Sequence, residues 1–162
     1  MIARLDLVCK FICERGNWAV TNLQLQKILY LSYMYYMGES NGEKLTNALF
    51  EAWDFGPVEP TVYRKVRIFG ANAIQDIFYG ARHFKIDDAR QMALMEVCDA
   101  LLPLRPSALV NITHWKDGAW AHSYVPGTRG IRIFDPEIAL EYRRRVEAYS
   151  HSRSSADYSP AT

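Results

Sequence analysis

The sequence predicts a mainly α-helical, single compact domain carrying one small β-hairpin, and three observations lead to that fold class. Apolar residues recur at helical spacing along most of the chain. Strand-like patterning is confined to short pieces beside turn residues. At 162 residues with 49% hydrophobic content, the chain is sized for one domain with its own core.

Each element follows from its local pattern. Leu5, Val8, Cys9, Ile12 and Cys13 form one apolar face of a helix over Arg4 to Arg15, which Gly16-Asn17 ends. Thr21 stands three residues before Gln24, the spacing of a capping box, ahead of a helix from about Asn22 to Met37. Leu25, Ile28, Leu29 and Tyr36 lie on one side of that helix, and Leu23, Tyr30, Met34 and Met37 cover much of the other. A helix apolar nearly all round belongs in a domain centre.

Gly38 to Lys44 reads as a polar loop, and Leu45 to Trp53 as a short extended segment. The stretch Glu51-Ala52-Trp53-Asp54-Phe55-Gly56-Pro57-Val58-Glu59-Pro60 then sets an aromatic pair ahead of a Gly-Pro turn. Glycine reaches backbone angles closed to other residues, and the proline pushes it out of the α region. Pro60 suits the first position of a helix whose stripe is Val62, Tyr63, Val66 and Phe69, with Gly70 as its stop. Ile74, Ile77 and Phe78 fall in an irregular stretch.

Asp87 or Asp88 caps a helix to Leu102 with Met92, Met95, Cys98 and Leu102 on its buried face, and Ser107 caps a short one holding Leu109 and Ile112. Thr113 to Gly130 reads as a structured loop, and Ile131-Arg132-Ile133 as a short strand. Asp135-Pro136 opens a last helix through Tyr149. These elements make residues 1–149 one domain of six or so helices, with 150–162 as a disordered Ser-rich tail.

Composition narrows the function classes. Nineteen basic residues face 18 acidic ones, too even a balance for a dedicated nucleic-acid binder. The first residues lack a signal-peptide pattern, and the longest apolar stretch, Ile28 to Met37, is short for a bilayer. Three cysteines without scaffold spacing point to the cytoplasm. Cys9, Cys13 and Cys98 all fall on apolar faces and read as packed thiols.

The chain offers little catalytic chemistry. His114, Asp117 and His122 cluster within nine residues, which supports an alternative reading as a metal-dependent hydrolase. Their spacing matches no standard zinc pattern, and two tryptophans in the same segment favour an anchored turn. The basic stretches at Arg64-Lys65-Val66-Arg67 and Arg143-Arg144-Arg145 sit beside acidic residues, with Glu141 and Glu147 bracketing the second, and read as solvated helix faces. The prediction is a protein without enzymatic activity and without a cofactor.

Three segments in order carry a resemblance to a known family. Leu25-Gln26-Lys27-Ile28-Leu29-Tyr30 is similar to its Leu-Gln-Lys-Leu-Leu-Tyr helix. Glu51-Ala52-Trp53 through Gly56-Pro57-Val58, followed by Tyr63, resembles its Ala-Trp-x-x-Gly-Pro-Val turn and Val-Tyr helix. Thr113-His114 with Gly118-Ala119-Trp120 resembles its Thr-His…Trp segment. The family is the Panacea domain, with its SocA-like antitoxins and phage-associated GepA-like proteins. The resemblance implies a cytoplasmic antitoxin that binds a cognate toxin, with SocA-like members also acting as adaptors to the ClpX unfoldase of the ClpXP protease. Aromatic residues and Arg supply most interface energy. The expected partner-binding residues are Lys27, Tyr30, Trp53, Phe55, Tyr63, Trp115 and Trp120.

Overall fold

A computed structural model describes residues 2–85 and 88–157. Helix α1 (Leu5–Arg15) precedes α2 (Asn22–Glu39), the strands β1 (Phe50–Trp53) and β2 (Gly56–Val58), and α3 (Pro60–Val66) with a 3-10 turn at Arg67–Phe69. Then come α4 (Ala89–Leu101), α5 (Pro106–Thr113), α6 (Ala119–Ser123), β3 (Arg132–Ile133) and α7 (Asp135–Asp157). The architecture is mainly helical, with one small antiparallel sheet of order β2-β1-β3.

Helix α2 is the centre. Every residue from Leu25 to Met34 is buried, and the helix packs against α1, α3, α4, α5, α7 and β2. Apolar residues lie on nearly every side of it, and Gln26, Lys27 and Ser32 are the polar side chains buried with them. The capping box forms as the sequence implies: the Gln24 amide donates to Thr21 Oγ1, and the Thr21 amide donates to Gln24 Oε1 at 2.9 Å. Val8, Cys9, Ile12 and Cys13 of α1 are fully buried, as predicted.

The sheet rests on α2 through Phe50, whose ring meets Tyr30 and Tyr33 edge-on at 5.2 and 5.3 Å. In register, Glu51 opposes Val58, Trp53 opposes Gly56, and Phe50 opposes Ile133. The stretch around Ile74 is irregular, tied down where the Ile74 amide donates to the Val20 carbonyl at 2.8 Å.

Several boundaries differ from the sequence reading. The Leu45–Trp53 segment holds a short strand at Phe50–Trp53 as expected, but Gly56 and Pro57 open β2 instead of making the turn, which falls on Asp54 and Phe55 because Trp53 pairs with Gly56. Helix α4 buries Leu94, Val97 and Cys98, whereas Met92 is exposed, so the true stripe is rotated from the one predicted. Asp88 does cap α4, and Asp87 lies outside the described residues. Ser107 is not the cap of α5: Pro106 takes the first turn, where its missing N–H costs nothing, and Arg105 is the cap. The segment after Thr113 contains α6, unforeseen because five residues carry no period. Helix α7 continues past Tyr149 to Asp157, and residues 158–162 of the Ser-rich tail lie outside the described residues.

Candidate functional site

The three sequence segments meet at one joint, where the β1–β2 hairpin docks against α2, α5 and α6. The turn makes its sharpest demand at Gly56, where φ is +114°. A Cβ there would stand 2.8 Å from Thr113 Oγ1 and 3.0 Å from Lys27 Cε. Both backbone conformation and space therefore select glycine.

Side chains of α2 hold the hairpin's backbone. Lys27, 1% exposed, donates from Nζ to the Pro57 carbonyl at 2.9 Å. Gln26 pairs with the Glu59 backbone in both directions, accepting from its amide at 2.8 Å and donating to its carbonyl at 3.3 Å. The Glu59 carboxylate in turn accepts the Val62 amide at 2.8 Å and caps α3. Buried backbone carbonyls need donors, and here Lys27 and Gln26 supply them to Pro57 and Glu59.

On the other side, Trp120 donates from Nε1 to the Trp53 carbonyl at 2.7 Å. Its indole is stacked between His114, at 3.7 Å and 3° between planes, and Tyr124 at 4.6 Å. The Tyr124 hydroxyl donates to the Asp54 carboxylate at the turn. Trp53 meets Tyr63 edge-on at 4.8 Å and donates from Nε1 to Glu51.

Beneath the joint lies Glu141 of α7, 1% exposed and bonded by three donors. These are the Tyr30 hydroxyl at 2.8 Å, the Ala119 amide at 2.9 Å and Arg145 Nε at 2.7 Å. Arg145 also donates to the Ile112 carbonyl and lies over the Trp115 ring. Glu141 is therefore an interior hub and not part of a solvated charge face, because α6 and α2 both aim donors at it. Gly118 is close-packed here too, since a Cβ would reach 3.1 Å from Glu141 Oε1.

Burial governs the titration of the joint. It lowers the Lys27 ammonium from its usual range to about 7. His114 is lowered as well, first by burial and then by the nearby Lys27 charge, with the Phe55 backbone opposing part of that shift. Burial and then Glu141 raise the Tyr30 phenol, which keeps it a donor. The thiols of Cys9, Cys13 and Cys98 are all raised by burial, which suits packed side chains.

The residues expected at a partner surface divide into two groups. Lys27, Tyr30 and Trp120 are interior. Trp53, Tyr63 and Trp115 are half-buried, and Phe55 stands 68% exposed at the hairpin tip. Gln26, Glu59, Tyr124 and Glu141 join the site without having been expected there. Gln26 was legible in principle, since it neighbours Lys27 in the quoted helix motif, but long-range bonds leave no periodic signal. The hydrolase set is not assembled: His114 lies flat against Trp120, whereas exposed His122 meets Arg144 at 3.3 Å. Among the described residues, no group of three His, Cys, Asp or Glu side chains could hold a metal ion. No helix among them is long and apolar enough to cross a membrane.

The fold and site define a small helical domain organised around a braced aromatic hairpin. The chain belongs to the antitoxin SocA-like, Panacea domain family, whose model matches residues 25–121, the span from α2 through the start of α6. Antitoxin SocA of Caulobacter vibrioides (strain NA1000 / CB15N) is 33% identical to it over 140 residues, covering 76% of this chain and 72% of that protein. No solved structure matches it.

Proposed function

We propose that this chain is an antitoxin that neutralises a cognate toxin by binding it directly. The observation that carries the reading is the family match: the matched span contains Lys27, the hairpin and Trp120, which together build the joint, and a curated relative in the family is an antitoxin. The geometry is in keeping with it. The polar groups of the joint, Lys27, Gln26 and Trp120 Nε1, bond the hairpin's backbone. A rigid aromatic edge formed by Trp53, Phe55 and Tyr63 is a surface for a protein, since preorganised aromatic anchors lose little entropy on binding.

The finer form of the reading adds ClpX as a second partner, with the chain handing the toxin to the ClpXP protease. Both forms act in the cytoplasm and require no cofactor. The test starts with tagged chain purified from its native host and partners identified by mass spectrometry. The recovered small protein is then expressed alone and together with this chain. Growth arrest alone and recovery together is the expected result. A toxin that still kills beside abundant antitoxin would overturn the proposal. Toxin half-life in hosts with and without ClpX separates the two forms: shortening that depends on ClpX supports the adaptor, and an unchanged half-life leaves inhibition by binding.

A further inference from the structure

We infer that Phe55 is the anchor by which this chain seats its toxin, entering an apolar pocket that has a basic rim. The inference rests on the antitoxin reading and deepens it by naming the contact.

The fold leaves most of the Phe55 side chain uncovered. Trp53 packs on Tyr63, Trp120 is stacked between His114 and Tyr124, and Trp115 lies under Arg145. Phe55 alone among these motif aromatics has no ring or cation partner among the described residues and is 68% exposed. Turn geometry does not ask for phenylalanine either. With Trp53 opposite Gly56, Asp54 and Phe55 form the turn, and the positive φ falls on Gly56. Any L-residue could occupy position 55.

The tip is nonetheless held from several sides. Trp120 fixes the Trp53 carbonyl, Lys27 fixes the Pro57 carbonyl, and Tyr124 holds the Asp54 carboxylate. An ordinary exposed turn is mobile and polar. A braced turn presenting a bare phenyl ring is a knob, and the complementary partner surface is a hole. The ring's neighbour sets the chemistry of the rim. Asp54 is exposed, and its carboxylate accepts the Tyr124 hydroxyl on one oxygen, so it has acceptor capacity left for an Arg or Lys of the toxin. The pair Asp54-Phe55 therefore fits an apolar pocket edged by positive charge.

The experiment places p-benzoylphenylalanine, a photo-crosslinking analogue, at Phe55 and, in a separate protein, at exposed Tyr79. The probe is the toxin recovered and validated by growth arrest as above. Crosslinking from position 55 and not from position 79, with Phe55→Ala weakening toxin binding about ten- to a hundredfold, is expected for an anchor residue. Phe55→Ala should melt close to the parent, because the side chain is 68% exposed and has no ring or cation partner among the described residues. If the parent binds and neutralises the toxin while position 55 neither crosslinks nor affects affinity, the anchor assignment is wrong and the antitoxin reading stands. If the parent itself binds no toxin, both fall together.

Discussion

Replacing Lys27 with Met tests the electrostatics of the joint most sharply. Buried Lys27 has its ammonium lowered to about 7 from an ordinary 10.5. A base that binds protons more weakly when folded costs stability wherever the unfolded chain is protonated. That cost is full below pH 7 and fades as pH climbs toward 10.5, so this group makes stability rise with pH. A gap of that size corresponds to about 4 kcal/mol at pH 7, falling to about 1.5 kcal/mol at pH 9.5. Met of similar length removes the charge and leaves the Pro57 carbonyl without its donor, an offset of about 1–3 kcal/mol independent of pH. Lys27→Met is thus expected to be the more stable protein at pH 7, with its advantage shrinking by about 3 kcal/mol by pH 9.5. Absolute stability in this range also carries the three buried thiols, which are raised by burial and push in the opposite sense. The informative quantity is therefore the difference between the two proteins in urea unfolding at each pH. A difference that stays constant from pH 7 to 9.5 would refute the reasoning, since it would mean that Lys27 titrates alike folded and unfolded.

Gly56→Ala should lower the midpoint of thermal unfolding, because φ of +114° costs a side chain about 1–3 kcal/mol before the overlap with Thr113 is counted. An unchanged midpoint would show that the hairpin relaxes freely. Glu141→Gln keeps the shape but turns one acceptor into a donor facing donors, and it unpairs Arg145. A loss of about 3–5 kcal/mol in denaturant unfolding is expected, as for breaking one side of a buried ion pair. A loss under about 1 kcal/mol would place Glu141 outside the hub described for it.

The fold was largely legible because its centre is encoded locally. The apolar residues on nearly every side of the helix from Leu25 to Met34 and the Thr21–Gln24 box dictate a buried, capped helix without reference to anything distant. The hairpin was readable in place but its turn was set two residues late: Gly56 and Pro57 open β2, and the turn falls on Asp54 and Phe55 because Trp53 pairs with Gly56. What escaped was tertiary. The stripe of α4 was misplaced because Met92 and Leu94 are equally apolar, and only contact with the body of the domain selects Leu94. Glu141 looked like one of two carboxylates beside an arginine run, whereas donors more than twenty positions away in sequence draw it inside. The site was legible as a set of segments and illegible as a mechanism of support: Gln26 reaches the Glu59 backbone and Tyr124 reaches Asp54 through bonds to chain far from them. Phe55 stood among several candidate anchors, and exposure alone sets it apart from Lys27, Tyr30 and Trp120.

The central claim is that this chain silences a toxin by holding it. Titration calorimetry of the purified chain against the purified toxin from the co-expression experiment tests it directly. A saturable complex of fixed stoichiometry, formed with no other component present, is the predicted result. Restored growth in cells combined with no binding between the pure proteins would contradict the account.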